Sequence, residues 1–267
     1  MSAAPAPGVW LRWLAAVAVT AVAQALFAQL APHLNVPPVL GFIVASSMAG
    51  ACLLAVAALA PPARARYAAW ALLPAVLLVL IALTGSAASG IGAVVVVTVA
   101  LLSGGTLVGT VVGQRIARPG HLLVVAWVSS LADIYSVVSS TGVSAQVVES
   151  DTLLSVLALS WPYPGTGDIV PLWGLGDVIM SAVYFSACRR HGLSRGRTAV
   201  ALALALGVVL AVLLVIEQPL PVLPFMGLAV VVAHPRARRL APEDRWQALI
   251  GMAVLTLAVA ALFLLSP

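Results

Sequence analysis

Two aspartates stand inside long apolar stretches of the chain and are the residues best placed to do chemistry. Asp133 lies within residues 121–140, and Asp177 lies within residues 169–188. An ionised carboxylate in hydrocarbon is costly, so an acid in such a segment marks a functional site by default. Two carboxyl groups held close together share one proton, so one can act as a general base and the other as a general acid. The pattern predicts an aspartic hydrolase pair, with a structural or ion-translocating acid pair as the alternative.

The overall composition places both carboxylates in a membrane. Hydrophobic residues make up 63% of the 267 positions and charged residues only 8%, which no soluble fold requires. The apolar runs are continuous rather than alternating, which argues against a β-barrel. We therefore predict an all-α, polytopic transmembrane helical bundle. Hydropathy indicates about nine spans, at residues 9–31, 38–60, 67–84, 90–113, 121–140, 169–188, 198–216, 221–234 and 246–265.

The basic residues predict the orientation of this bundle. All 13 are arginines, and with nine spans and a cytoplasmic N-terminus every one falls on the same side. The opposite loops carry Glu149, Asp151, Asp168 and Glu217 and no arginine. The positive-inside rule then predicts a cytoplasmic N-terminus and an external C-terminus, in a membrane that the Arg- and Ala-rich composition suggests is a prokaryotic plasma membrane. Topology explains the arginines, so no nucleic-acid partner is predicted. They are Arg12, Arg64, Arg66, Arg115, Arg118, Arg189, Arg190, Arg195, Arg197, Arg236, Arg238, Arg239 and Arg245.

The sequence also predicts that the two aspartates lie at the same depth. Asp133 is seven residues before Ser140, and Asp177 is eight residues after Ile169. If both segments are helical, each acid lies about 11 Å below the outer face, on consecutive helices. Gly174 and Gly176 remove side chains beside Asp177, so a substrate backbone could approach closely.

The segment between these helices, residues 141–168, is the one long external connection. We expect residues 143–160 to form an amphipathic helix near the surface, and the end rich in proline and glycine to be irregular. Gly165-Thr166-Gly167-Asp168 repeats the spacing of glycines and aspartate in Gly174-Leu175-Gly176-Asp177. Because it lies in this polar end, we treat Asp168 as a decoy, an aspartate that matches the pattern but is not expected to be catalytic.

Other candidate residues point to structure rather than chemistry. Gly105, Gly109 and Gly113 form one helical stripe, which predicts close helix packing. Cys52 and Cys188 are expected to be small buried apolar residues. The four histidines (His33, His121, His191 and His234) form no ligand spacing, so no metal or cofactor is predicted. The span at 221–234 is short and begins with Pro221, so its outer end is expected to be unwound.

Three segments together resemble the presenilin and signal peptide peptidase family of intramembrane aspartyl proteases. They are Gly174-Leu175-Gly176-Asp177, the Asp133 helix, and Leu220-Pro221-Val222-Leu223-Pro224, in which Val222 stands where the family has alanine. The resemblance covers roughly residues 121–235. It implies that Asp133 and Asp177 are catalytic. It also implies a substrate-binding role for the residues around them: Gly174, Leu175, Gly176, Pro221, Val222, Leu223 and Tyr135.

The chain departs from the family pattern in several places. Ala132 stands where the family has tyrosine before its first aspartate, and Tyr135 follows two residues after Asp133. Four spans precede the Asp133 helix, where the family has five, and a ninth span is added. We divide the chain into an N-terminal four-helix region at 1–120, a presenilin-like core at 121–235, and an Arg-rich loop with an added helix at 236–267.

The predicted function is hydrolysis of peptide bonds within transmembrane segments or signal peptides. Because the segment joining the two aspartate helices is predicted to be external, the orientation resembles signal peptide peptidase, and type II or signal-peptide-like substrates are expected in the lipid bilayer. Two alternatives remain open. They are a proton-coupled transporter and a catalytically silent membrane scaffold.

Overall fold

A computed structural model describes residues 7–62, 72–84, 90–216 and 218–265. Arg64, Arg66, the start of the span predicted at 67–84, and Glu217 lie outside the described residues. The elements in chain order are α1 (Pro7–Leu30), α2 (Pro38–Leu59), α3 (Leu72–Thr84), α4 (Ile91–Gly113), α5 (His121–Val138), α6 (Val143–Glu149), α7 (Asp151–Leu157), β1 (Ala158–Pro162), β2 (Ile169–Gly174), α8 (Leu175–Arg190), α9 (Arg195–Ile216), α10 (Leu223–Ala233) and α11 (Pro242–Leu265).

The described chain is helical apart from one antiparallel hairpin, β1–β2. Among the described residues, six helical segments are long and apolar enough to cross a membrane, since about 20 apolar residues span the hydrocarbon core. The chain is therefore an integral membrane protein of the helical class. The six segments are Gly8–His33, Pro38–Leu59, Ile91–Gly113, His121–Glu149, Arg195–Ile216 and Pro242–Leu264.

The helices group into two compact units, each built from two stretches of chain. The first unit comprises Met1–Gln114 and Asp151–Ser186, and the second comprises Arg115–Ser150 and Ala187–Pro267. Asp177 therefore belongs to the first unit and Asp133 to the second.

Buried polar side chains tie the first unit together. Gln24 is fully buried, and its side-chain amide donates to Thr98 Oγ1 at 3.0 Å and to the carbonyl oxygen of Ser160 at 2.7 Å. Trp13 Nε1 donates to Thr106 Oγ1 at 3.2 Å. Such groups are costly to bury unless they are paired, so these bonds fix α1 against α4 and β1 in one register.

The glycine stripe of α4 packs closely against α8. A Cβ atom added at Gly105 would lie 2.8 Å from Val178 Cγ1, and one at Gly113 would lie 2.5 Å from the carbonyl oxygen of Val183. At Gly109 an added Cβ would overlap the carbonyl oxygen of Ile179. The packing role predicted for these glycines is confirmed, because an added Cβ would overlap the α8 backbone at Gly109 and Gly113 and crowd the Val178 side chain at Gly105.

In the second unit, α5 is the central helix and contacts both α10 and α11, while α10 also packs on α9. Thr198 Oγ1 lies 2.9 Å from His234 Nε2, in a buried contact between α9 and the end of α10. At the start of α11, Asp244 contacts Arg118 and His121, each at 3.0 Å. The first contact joins α9 to the end of α10, and the second joins α11 to the start of α5. Both lie at helix ends where the arginines cluster.

Two predictions about residues 141–174 are wrong. The amphipathic helix expected at 143–160 is replaced by two short helices that break at Ser150, followed by β1. Residues 169–174, expected to begin a membrane helix, form β2, which pairs with β1 across a bulge at Leu159 and Ser160. A continuous apolar run fits a buried strand as well as a helix, so hydropathy alone cannot distinguish them.

Candidate active site

Asp133 lies in the middle of α5 and is half-buried. Its Oδ2 atom accepts a hydrogen bond from the backbone N–H of Leu223 at 2.8 Å. Leu223 is the first residue of α10, where backbone N–H groups have no partner within the helix. Asp133 therefore caps α10 from a neighbouring helix, and the positive end of the helix dipole favours a carboxylate there.

The residues just before Leu223, the donor of this bond, form the unwound entry to α10. Pro221 and Val222 precede the helix, which begins at Leu223 and has Pro224 in its first turn. Pro221 and Val222 are half-buried, whereas Leu223 is buried. The prediction that this end is unwound is confirmed. Pro221 lies outside the helix, whereas Val222 is its N-cap residue, and the Val222 carbonyl oxygen accepts from the backbone N–H groups of Phe225 and Met226 at 3.1 and 3.2 Å.

Asp177 is the third residue of α8 and only 8% exposed. Its Oδ2 atom accepts a hydrogen bond from the backbone N–H of Gly174 at 2.9 Å. Gly174 is the residue just before the helix, so this contact is the reaching-back half of a capping box. Both candidate aspartates thus hold the start of a helix, Asp177 its own and Asp133 a neighbour's.

The two glycines before Asp177 differ from those of the α4 stripe. A Cβ atom at Gly176 would have nothing within 4 Å, and one at Gly174 would meet only ordinary contacts, the nearest being Asp177 Oδ2 at 3.8 Å. Neither glycine has a positive φ angle. Packing within the described chain therefore does not require glycine at either position, and the space beside the Asp177 turn is open.

Leu175, between these glycines, has a different environment. Its side chain packs against a buried cluster from α3, α4 and α7, which consists of Leu78, Ile81, Val97, Ala100, Leu101 and Val156. The leucine anchors the start of α8 in the first unit. The Leu175 side chain is only partly buried, so its predicted part in substrate binding stays a prediction.

Strand β2 runs directly into the Asp177 turn. Gly174 ends the strand and is opposite Ala158 of β1. Because residues 169–174 are extended, the depth of about 11 Å expected for Asp177 from a helix starting at Ile169 is wrong, since a strand rises roughly twice as far per residue. Among the described residues the sheet has two strands, so β2 has one side on which no described strand pairs.

Tyr135 is on α5 but points to a different neighbourhood from Asp133. Its hydroxyl lies 3.1 Å from Thr141 Oγ1, and its ring meets the edge of Phe263 on α11 with centroids 5.4 Å apart. Residues two apart on a helix do not share a face. These contacts attach Tyr135 to α11, and its predicted part in substrate binding stays a prediction.

The decoy aspartate lies in the hairpin turn. Asp168 is exposed, its backbone N–H bonds to Thr166 Oγ1 at 3.1 Å, and its carbonyl accepts from the backbone N–H of Tyr163 at 2.9 Å. The residue serves as a turn residue at the tip of β1–β2. Sequence reasoning missed the hairpin itself, although two aromatic and apolar runs around a Pro-Gly segment are a hairpin signal.

Comparison of the chain with protein-family models, with curated proteins and with solved structures gave no match. Within the described residues, Cys52 and Cys188 are free thiols, and no cluster of three or more histidine, cysteine or acidic side chains could hold a metal ion. Asp133 and Asp177 belong to different units, so the pairing of their carboxyl groups stays a prediction from the sequence.

Proposed function

We propose that the chain is an intramembrane aspartyl protease in which Asp133 and Asp177 form the catalytic pair. The observation that carries this proposal is the hydrogen bond between Leu223 N–H and Asp133 Oδ2. It joins two of the three segments on which the proposal depends, although 90 residues separate them in sequence. An acid that contacts an unwound proline segment is well placed to meet an extended peptide.

The surroundings of Asp177 provide the second support. A transmembrane substrate must be unwound before hydrolysis, because its peptide bonds are hidden in helical hydrogen bonds. The extended backbone of β2 ends beside open glycines, and strand addition to such an edge would satisfy the freed N–H and C=O groups. Gly174 and Gly176 would let the scissile bond approach Asp177 without steric hindrance.

The proposed chemistry is general acid–base hydrolysis. The ionised aspartate takes a proton from water, and the water oxygen attacks the scissile carbonyl carbon, while the protonated aspartate donates to the carbonyl oxygen. The first aspartate, now protonated, gives its proton to the leaving amine as the C–N bond breaks, and a hydroxyl of the tetrahedral intermediate returns a proton to the second aspartate. No group besides the two carboxyls is required for this proton balance.

The proposal includes the number of membrane crossings and the side of the membrane on which each terminus lies. Besides the six long helices, the described residues contain one shorter apolar helix, α10. The proposal adds crossings at α10, α3 and α8, which lie within predicted spans, for about nine in all, with a cytoplasmic N-terminus and an external C-terminus. That orientation leads to a preference for type II segments or signal-peptide remnants. Cleavage of matched type I and type II reporters tests it, and a type I preference would contradict the proposed orientation.

The decisive experiment uses asparagine rather than alanine at both aspartates. The purified full chain is reconstituted with a helical reporter peptide, and Asp133→Asn, Asp177→Asn and the control Asp168→Asn are compared with the unchanged protein. Asparagine can still accept the capping hydrogen bonds from Leu223 and Gly174, but it cannot shuttle the proton. We expect either change to abolish cleavage with folding retained, and Asp168→Asn to cleave normally.

A catalytically silent scaffold is the second candidate, and the capping geometry favours it. Both carboxylates make hydrogen bonds that have a structural purpose on their own. If the unchanged protein cleaves no reporter, and if both asparagine variants are as stable as the unchanged protein, the capping role is the whole role of these acids and the protease proposal fails.

A further inference from the structure

An apolar groove lies between α9 and α10 in the second unit and has a volume of about 560 Å³. Its small residues, among them Gly196, Ala201 and Ala229, leave room between the helices, and Val200, Leu204 and Val232 form its walls. Val200 and Leu204 are 60% and 64% exposed. This groove contains neither candidate aspartate, so its role is independent of the proposed proteolysis.

One end of the groove is positively charged. Arg197 is an exposed lining residue, and no ion pair of its guanidinium is found within the described residues. Arg238 lies beside the other wall, because its guanidinium donates to the carbonyl oxygens of Val231, at 3.1 Å, and Val232. The acids at the start of α11 do not offset this charge, since Glu243 and Asp244 contact Arg118.

The length of the groove selects its occupant. From Arg197 to Leu204 the lining covers about two turns of α9, or roughly 10 Å, and on α10 it covers little more than one turn. A helix that crosses the membrane is roughly 30 Å long, so most of its length would lie outside this groove. A single acyl chain needs only a narrow apolar channel that opens at a polar headgroup.

We propose that this groove binds one membrane phospholipid with an anionic headgroup. The acyl chain lies between α9 and α10, and Arg197 holds the phosphate. A basic pocket between membrane helices on the cytoplasmic side is suited to such headgroups, because the lipids of that leaflet carry negative charge. The arginine-rich ends of α9 and α10 are the ones predicted to be cytoplasmic.

The test measures lipid binding by the full chain in neutral detergent. Phosphatidylglycerol and phosphatidylcholine with identical acyl chains are titrated separately, and bound lipids are counted by native mass spectrometry. We expect one saturable phosphatidylglycerol site, with weaker phosphatidylcholine binding. Arg197→Gln should weaken phosphatidylglycerol binding roughly fivefold, as expected for one interfacial arginine, whereas Arg12→Gln, an exposed arginine of the other unit, should not.

A second pair of variants tests the apolar part of the groove. Val200→Trp fills the channel, and Val208→Trp places the same bulk two turns further along α9, at a position 48% exposed and outside the groove. Only Val200→Trp should remove the site. Where that variant does not fold, a phosphatidylglycerol with a photoreactive acyl chain replaces it, and the label should fall on residues 196–204 and 229–233.

Three outcomes would overturn the lipid proposal. They are equal binding of the two lipids, equal effects of Arg197→Gln and Arg12→Gln, or photolabel spread evenly over the exposed helices. A stable dimer whose contact shields Val200 from the probe would assign the groove to a second copy of the chain instead.

Discussion

The backbone N–H of Leu223 donates a 2.8 Å hydrogen bond to the side chain of Asp133, so one acid on α5 fixes where α10 begins. We expect Asp133→Ala to destabilise the protein by about 1–3 kcal/mol, because a helix-capping N–H loses its partner. Asp133→Asn should cost much less. The free energy of unfolding in mixed micelles measures both, with the exposed turn residue Asp168→Ala as the control. Equal losses for Ala and Asn would show that the hydrogen bond is not what stabilises α10.

The contact between α4 and α8 predicts a difference between two glycines of the same helix. Gly109→Ala should destabilise the first unit by about 1–3 kcal/mol, since the added methyl group meets the carbonyl of Ile179 and forces the backbones apart. Gly92→Ala is the matched control, because nothing lies within 4 Å of its added Cβ atom. It should be neutral or stabilising by up to about 1 kcal/mol. A similar loss at both positions in thermal unfolding would contradict close packing along the stripe.

The open space beside Asp177 predicts that stability and activity separate at Gly176. Gly176→Ala should leave the fold intact, or stabilise α8 slightly, because alanine favours the helix and meets no neighbour. Reporter cleavage should fall about 100-fold, as expected when a substrate is displaced by roughly 1 Å. Gly167→Ala, in the hairpin turn, also meets nothing within 4 Å and should cleave normally. Full activity of Gly176→Ala would remove the argument that these glycines admit a substrate backbone.

The contacts at the start of α11 predict unequal effects of two neighbouring acids. A hydrogen bond from Arg118 to Glu243, and the charge of Asp244, raise the pKa of Arg118. Asp244→Asn weakens contacts with both Arg118 and His121, whereas Glu243→Gln weakens only the one with Arg118. Hydrogen exchange at residues 242–246 should therefore rise more for Asp244→Asn. The difference should shrink at high salt, because these charges are exposed and screened. An identical response at both acids would be inconsistent with the observed contacts.

The predicted orientation can be read from two single cysteines. With Cys52 and Cys188 replaced by alanine, Asp168→Cys in the hairpin turn should react with a membrane-impermeant maleimide on intact cells. Ser194→Cys, just before α9, should react only after permeabilisation, because the arginines around it are expected to be cytoplasmic. The reverse pattern would place the N-terminus outside and reverse the expected substrate preference.

The sequence predicts the long helices well because hydropathy reports the contact of apolar residues with lipid. Helix α5 was expected at 121–140 and lies at His121–Val138, and the unwound entry to α10 followed from Pro221 and Pro224. The hairpin was missed because residues 169–173 are apolar whether they form a strand or a helix. The capping bonds could not be predicted either. The one to Asp133 joins segments 90 residues apart, and a span assignment contains no information about which helices touch.

The discontinuity of the first unit has a consequence for its synthesis. Ser186 Oγ donates to the carbonyl oxygen of Thr110 at 3.0 Å, and the two residues are 76 positions apart. At a translation rate of roughly 5–20 residues per second, the glycine face of α4 waits about 4–15 s for the arrival of α8. During that interval a polar and glycine-lined helix face lies exposed in the membrane. A small-residue stripe on a foreign helix could pair with α4 first, so the nascent chain is most open to misassembly before Ser186 emerges from the ribosome.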